Sequence, residues 1–164
     1  MKRNSVLFLV FLTALTACNQ QAKHAKAYHD TILLAVQPVI DSSLDYGDAI
    51  QSHQKGRALM QHAKYAALVE HSIEKVNAAG QFEDDTVLKH YSLEILGYHK
   101  NSLDKDFIGL LNNVHQDMFT DSEAQLADSL WGQFIMMQSR YAERFNWAEK
   151  KFDEKFSVAK VEGK

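Results

Sequence analysis

Apolar residues recur every three or four positions along most of the chain, and no segment alternates apolar and polar residues as a half-buried β-strand does. This pattern predicts four amphipathic helices. The first covers about residues 24–53, the second covers about residues 56–79, and the third begins near Asp84. The fourth begins at Thr120, which has the spacing of a capping box with Glu123.

The fourth helix carries the clearest apolar stripe. At about 100° per residue, its members fall within about 60° of one line along the helix. A stripe of this length is typical of a long bundle helix, so we expect it to face the core. Its members are Ala127, Leu130, Phe134, Met137, Tyr141, Phe145, Ala148, Phe152 and Phe156.

Two irregularities interrupt the helical pattern. Pro38 lies inside the first helix, where a proline removes one backbone hydrogen bond and clashes with the preceding turn, so we expect a kink there. In the third helix the periodicity slips between Tyr98 and Phe107, which predicts a bend or a division into two helices. Elsewhere, a composition with only one proline and seven glycines favours continuous helices.

These elements predict an all-α fold. Four helices with apolar stripes, joined by short connections, form an antiparallel four-helix bundle with long helices, the first of which is kinked at Pro38. The alternative is a less regular helical array, broken at Pro38 and near Asn101. In the bundle, the inner face of the third helix extends to Met118. The inner face of the second helix consists of Leu59, Ala63, Ala66, Val69, Ile73 and Val76.

Residues 1–17 have the composition of a signal peptide. Lys2 and Arg3 precede an apolar stretch at residues 6–12 and a small-residue region at residues 13–17. Together, the dozen apolar or small residues at positions 6–17 are too few to cross a bilayer, which needs about 20 residues. A removable signal peptide therefore explains this segment better than a transmembrane helix does.

The segment LTAC, residues 15–18, resembles the lipobox of bacterial lipoproteins. The resemblance implies cleavage after Ala17 and lipidation of Cys18, whose acyl chains anchor the protein in a membrane of the cell envelope. Asn19 stands where an Asp would resemble an inner-membrane retention signal, which implies the outer membrane if the source is Gram-negative. The alternative is an ordinary secretory signal with an incidental cysteine.

The chain is then divided into a signal peptide (1–17), a lipidated cysteine with a polar tether (18–26), and one helical domain (27–164). A domain of this length can bury a sizeable core. Removal of the signal peptide takes away Lys2 and Arg3, so the mature chain is more acidic than the full chain, whose net charge is −3. Because there is also no basic run, we predict no nucleic-acid binding.

Cys18 is the only cysteine, so a disulfide, a cysteine-ligated zinc site and a C-x-x-C-H haem attachment are excluded. The sequence contains no H-E-x-x-H motif, no Gly-rich phosphate loop and no G-x-S-x-G motif. Without a nucleophile motif or a clustered carboxylate pair, we predict a non-enzymatic protein with no catalytic residues and no cofactor.

Histidine is the commonest metal ligand, and eight histidines are many for this length. The Glu-x-x-His pairs of a ferritin-like di-iron site are absent. His71 with Glu74, and His90 with Glu94, can share a helix face, but two ligands on a surface helix are only half a site. We interpret both pairs as solvated polar faces and predict no metal site.

His62 lies within about 40° of the predicted inner line of the second helix at Ala66. A core histidine that bonds to a neighbouring Tyr, Glu or backbone carbonyl is the simpler interpretation. The alternative is an interior pocket for haem, a metal or a small hydrophobic ligand, since helix bundles can hold haem between a His and a Met. The residues that would border this pocket are His62, Tyr91, Phe134, Met137 and Tyr141.

Met136 and Trp147 fall within about 20° of each other on the face of the fourth helix opposite its apolar stripe. Exposed large apolar residues can mark a surface that contacts a partner protein or the nearby membrane. We therefore expect a lipid-anchored helical module that contacts another envelope protein or an external protein. The second hypothesis is a periplasmic or surface ligand-binding protein that uses the interior near His62.

Overall fold

The computed structural model describes the backbone of residues 3–158 and the side chains of residues 20–158. The predicted lipobox and the side chain of Cys18 lie outside the described side chains, so cleavage and lipidation remain predictions. Among the described residues, no helix is both long enough and apolar enough to cross a membrane.

Helices account for nearly all of the described chain. Three consecutive pieces, α3, a π-helical segment and α4, follow one another without a gap and form the third of four long helices. The bounds in chain order are α1 Arg3–Gln51, α2 Lys55–Ala78, α3 Val87–Asn101, the π segment Ser102–Phe107, α4 Ile108–Asn113 and α5 Asp121–Phe156.

The four helices pack as the predicted antiparallel bundle, in which α1 and α3 each lie beside both α2 and α5. Gln138 Nε2 of α5 donates to Ser43 Oγ of α1 at 3.1 Å. Just beyond the end of α1, His53 Nε2 lies 3.2 Å from Asp128 Oδ1, which comes earlier in α5. The two helices therefore run in opposite directions.

The predicted inner stripe of α5 lines the core. Most of its residues are buried, while Leu130, Met137 and Tyr141 are half-buried at its edges. Large buried aromatic side chains from the other helices face this stripe, and the rings of Tyr46 and Phe107 meet edge-on with centroids 5.2 Å apart. Aromatic side chains bury the most apolar area per residue, so they dominate the packing of this core.

The π segment lies where the periodicity of the third helix slips. A π-helical turn contains more residues than an α-helical turn, so the segment rotates the residues after it relative to those before it. Four residues spaced four apart are consequently all buried, namely His99, Leu103, Phe107 and Leu111. The irregularity is at the predicted place, but the chain does not divide into two helices there.

α1 continues through Pro38, so the proline does not break the helix as the alternative fold required. A proline at this position leaves the carbonyl of Leu34 without its helical donor. Leu34 is 72 % exposed, so the turn that loses this bond begins on the solvent side of the helix. The kink at Pro38 remains a prediction.

α1 also includes residues 20–26, which were expected to form a polar tether. Ala22 and Ala25 of this stretch are buried. Gln21 Nε2 donates to Glu83 Oε1, in the connection between α2 and α3, at 2.9 Å. Because the small alanines pack closely, the bundle begins nearer to Cys18 than expected.

α2 is rotated relative to its predicted orientation, and Ala63, expected to face inward, is exposed. The rotation brings Tyr65 to the centre of the inner face, where its hydroxyl donates to the carbonyl of Val39 at 3.0 Å. Periodicity alone predicted that the alanines face inward. It could not place Tyr65 there, because burial of a tyrosine also depends on a hydrogen-bond partner for its hydroxyl. The buried residues of α2 are Ala58, Tyr65, Val69, Ser72 and Val76.

The start of α5 confirms the predicted capping box. The backbone N–H of Thr120 donates to Glu123 Oε2 at 2.7 Å, and the backbone N–H of Glu123 donates to Thr120 Oγ1 at 3.4 Å. These reciprocal bonds satisfy two N–H groups that would otherwise be free at the helix end.

The third helix ends earlier than predicted, at Asn113. Residues 114–120 form a connection that is tied to the α1–α2 turn, because the N–H of Phe119 donates to the carbonyl of His53 at 2.9 Å. Met118 lies in this connection and is 53 % exposed, so it does not extend the inner face of the third helix.

Candidate functional site

Two tyrosines and two histidines form a polar cluster inside the bundle, which we call the inner cluster: Tyr46, His62, Tyr65 and His99. Tyr46 Oη lies 3.1 Å from His62 Nδ1, and the rings of Tyr46 and Tyr65 stack with centroids 5.2 Å apart. Tyr65 Oη also bonds to His99 Nδ1. Residues of α1, α2 and α3 thus meet in two hydrogen-bonded pairs that are joined by the stacked rings of Tyr46 and Tyr65.

The bonds of Tyr65 fix the protonation of His99. The tyrosine hydroxyl has one proton, which it donates to the carbonyl of Val39 at 3.0 Å. It must therefore accept from His99 Nδ1–H, which leaves Nε2 as an unprotonated lone pair. This Nε2 is buried and has no hydrogen-bond partner among the described residues. Burial lowers the pKa of His99 to about 4, so the imidazole is neutral at pH 7.

His62 lies at the edge of the interior and is only half-buried, because of the rotation of α2. Its bond to Tyr46 agrees with the simpler interpretation, a histidine paired with a neighbouring tyrosine. Burial lowers the pKa of His62, and the nearby carboxylate of Asp104 partly offsets this effect.

The residues predicted to border an interior pocket lie in different places. Tyr91 packs edge-on against Trp147, with ring centroids 5.7 Å apart, on the outer side of α3 and α5. Met137 is half-buried, and its Sδ accepts an N–H from Arg140 at 3.9 Å. In the described structure, no hydrogen bond or ring contact joins His62 to any of the other four predicted residues.

The other two predicted pocket residues belong to the packed interface between α3 and α5. Phe134 contacts His99 edge-on at 5.1 Å and stacks on Tyr98 at 5.5 Å. Tyr141 also stacks on Tyr98, with ring centroids 4.8 Å apart. These rings pack against one another, so this arrangement serves the stability of the bundle.

The outer side of α3 and α5 carries a second group of side chains, which we call the Trp147 surface. Trp147 is 50 % exposed and rests edge-on against Tyr91. About one turn before it, Arg144 Nη1 donates to Glu94 Oε1 at 2.7 Å. The guanidinium of Arg144 also lies over the ring of Tyr141, 5.8 Å from its centroid. The indole is thus an exposed apolar group that packs on Tyr91 beside the Arg144–Glu94 pair.

Met136 is exposed, as predicted. It precedes Trp147 by eleven positions, so it lies about 16 Å away along the helix axis. Met136 shares the face of Trp147 but lies outside the Trp147 surface.

The two histidine–glutamate pairs singled out in the sequence differ in their surroundings. His71 and Glu74 are both well exposed, with Nδ1 and Oε2 4.0 Å apart, as expected for a solvated face. His90 is exposed and packs on Tyr91, whereas Glu94 bonds to Arg144.

Sequence reasoning missed the two buried histidines, His29 and His99. His99 continues the three- and four-residue spacing of buried positions in α3, a signal that the phase slip beyond Tyr98 obscured. His29 of α1 lies beside Glu149 and Asp153 of α5. This cluster depends on how two helices distant in sequence are aligned, and no single segment carries a signal for it.

No protein-family model matches the chain, and neither a curated protein nor a solved structure shows significant similarity to it.

Proposed function

We propose that this protein is a non-enzymatic, lipid-anchored module of the cell envelope that binds another protein through the Trp147 surface. The observation that carries the proposal is an indole that is 50 % exposed and yet held by an edge-on contact with Tyr91. Trp, Tyr and Arg most often supply the binding energy of protein interfaces, and all three residue types meet here. A fixed aromatic anchor loses little conformational entropy on binding.

A protein partner suits this surface better than a bilayer does. Surfaces that bind anionic lipids combine apolar residues with an excess of Lys or Arg. Here Arg144 is paired with Glu94 at 2.7 Å, and the exposed Glu143 lies one turn before Trp147. An apolar anchor with a charge-balanced rim is typical of a protein interface.

Lipidation of Cys18 would place one end of the bundle at the membrane. Ala22, the first buried residue among the described side chains, lies only about 6 Å along the helix axis from position 18. The α2–α3 connection lies at the same end, since Tyr28 Oη donates to the carbonyl of Gly80 at 3.4 Å. Trp147 is nine positions, or about 14 Å, from the end of α5 at Phe156. In this orientation the Trp147 surface stands above the headgroups, within reach of another envelope protein.

A ligand in the bundle interior is the second candidate function. One observation favours it, namely the unpartnered Nε2 of His99. A haem between His62 and Met137 is less well supported, because His62 bonds to Tyr46 and the rings around Phe134 pack against one another.

The anchor is tested by mass spectrometry of the N-terminal peptide of the protein isolated from its native envelope. We expect residues 1–17 to be absent and Cys18 to carry acyl chains. Cys18→Ser should move the protein from the membrane fraction to the soluble fraction. An unmodified cysteine in the mature protein would contradict the proposed anchor.

The surface is tested by co-purification of the full-length protein from native envelopes in a mild detergent. Leu126 of α5 is a matched control for Trp147, because each is 50 % exposed. We expect one protein to accompany the wild type and Leu126→Ser in a fixed ratio, and to be lost with Trp147→Ser. Equal recovery with both variants, or no partner of the wild type, would count against the Trp147 surface.

A further inference from the structure

His29 of α1 is only 6 % exposed, yet neither of its ring nitrogens makes a hydrogen bond within the described chain. Asp153 Oδ1 of α5 is also buried without a partner. These three atoms are half of the six unpartnered buried side-chain atoms found among the described residues. Because buried polar atoms are nearly always paired, such a concentration in one place needs an explanation.

Two carboxylates of α5 converge on one nitrogen of this histidine. His29 Nε2 lies 3.4 Å from Glu149 Oε1 and 3.4 Å from Asp153 Oδ1. Glu149 and Asp153 are four positions apart, so both extend from the same face of α5 toward α1. The three residues can each offer a ligand atom within 4.8 Å of the other two.

The distances between these atoms match the distances between the ligands of one metal ion. With metal–ligand bonds of about 2.0–2.2 Å, two ligands of a tetrahedral ion are about 3.4 Å apart. A direct N–H···O bond would be about 2.9 Å long and well aligned, and neither His29 contact meets that geometry. The three side chains are thus spaced around a point that all of them could ligate.

We propose that His29, Glu149 and Asp153 bind one divalent transition-metal ion, for which Zn²⁺ is the best match. Imidazole nitrogen and carboxylate oxygen are both good Zn²⁺ ligands, whereas Ca²⁺ and Mg²⁺ prefer oxygen ligands alone. The two carboxylates supply two negative charges, which balance the charge of the ion. Three protein ligands leave a fourth position for water.

The surroundings of His29 suit a metal ligand. Asp30 Oδ1 lies 3.6 Å from His29 Nδ1, the nitrogen that does not face the α5 carboxylates. A metal-bound histidine commonly directs this second nitrogen at a carboxylate. Lys26 Nζ holds Asp30 in place at 3.1 Å. Phe152 stacks on the imidazole with centroids 6.1 Å apart and restricts its rotation.

A bound ion would join α1 to α5 near the end of the bundle that carries the predicted anchor. The metal site shares no residue with the Trp147 surface. A result that contradicts one of these two proposals therefore leaves the other unaffected. The competing explanation for the same geometry is a protonated His29 that forms ion pairs with both carboxylates.

Isothermal titration calorimetry with Zn²⁺ alone tests the site, with the full-length protein in detergent after treatment with a chelator. We expect one equivalent to bind per chain. Asp153→Asn and Glu149→Gln should each weaken binding by more than the roughly 10- to 100-fold that is typical of outer-shell changes. Glu154→Gln is the matched control, because this neighbouring carboxylate bonds to Lys151 at 2.8 Å and should not affect Zn²⁺ affinity.

Because His29 is buried, its substitution would also disturb the packing, so the test uses the two carboxylate variants. Circular dichroism verifies that both variants are folded. Co²⁺ in place of Zn²⁺ gives a visible absorption spectrum that reports tetrahedral coordination and should disappear with Asp153→Asn. A wild-type protein that binds no stoichiometric Zn²⁺, or variants that bind it undiminished, would overturn the metal site and leave the ion-pair explanation.

Discussion

Trp131 of α5 packs directly on the backbone of α1 at Gly47. A Cβ atom at position 47 would lie 2.1 Å from Cζ2 and 2.5 Å from Cε2 of the indole. The same indole stacks on Phe134 at 5.2 Å and meets Tyr46 edge-on at 6.5 Å, so it has little room to move. The missing side chain of Gly47 therefore allows the close approach of α1 and α5.

Gly47→Ala should lower the free energy of unfolding by about 1–3 kcal/mol, the usual effect of overpacking a core. At an unobstructed helical position the same change stabilises by about 0.5–1 kcal/mol. Gly132→Ala is the control, because a Cβ at this α5 position meets nothing within 4 Å. Urea unfolding measures both variants, and a Gly47→Ala protein as stable as the wild type would contradict the predicted clash.

Tyr65→Phe should destabilise the protein by about 1–3 kcal/mol, because it leaves the carbonyl of Val39 and Nδ1 of His99 buried without their partner. Tyr91→Phe is the matched control, since no hydrogen bond of its hydroxyl is found in the described structure and its ring contacts are retained. Urea unfolding should separate the two variants. Equal stabilities would show that the hydroxyl of Tyr65 contributes nothing to the inner cluster.

His99 should make the stability of the protein depend on pH. Its pKa falls from an ordinary value of 6.5 to about 4 on burial, so below pH 6.5 the unfolded chain takes up a proton that the folded chain does not. The stability contribution of the neutral imidazole is fully present above pH 6.5 and is lost as the pH falls toward 4. Between pH 7.5 and 5.0 the loss should be about 2 kcal/mol.

The contribution of His99 is isolated by comparing variants at these two pH values. His99→Gln should reduce the pH-dependent loss of unfolding free energy by about 2 kcal/mol, whatever its effect on absolute stability. His71→Gln, which removes a well-exposed histidine, is the control that is measured beside it. A His99→Gln protein with the wild-type pH dependence would contradict the lowered pKa.

The sequence was sufficient to predict the elements whose pattern is local. The α5 stripe and the capping box of Thr120 and Glu123 are confirmed, because each depends only on residues within one helix. The phase slip after Tyr98 located the π segment. It did not identify its type, because the same slip is produced by a bend, a break or an inserted residue.

Features that depend on the alignment of helices were not predictable in the same way. Tyr65 is central in α2 because a carbonyl of α1 and a histidine of α3 bond to its hydroxyl, and periodicity cannot show such partners. Likewise, His29 meets Glu149 and Asp153 only because α1 and α5 pack antiparallel in one register.

Site-specific photocrosslinking in living cells tests the proposed function most directly. A photoreactive amino acid replaces Glu143, an exposed residue one turn before Trp147. We expect one discrete crosslinked product, which persists with Leu126→Ser and disappears with Trp147→Ser. A product that is insensitive to Trp147→Ser, or the absence of any product, would contradict the proposal that this surface binds a partner protein.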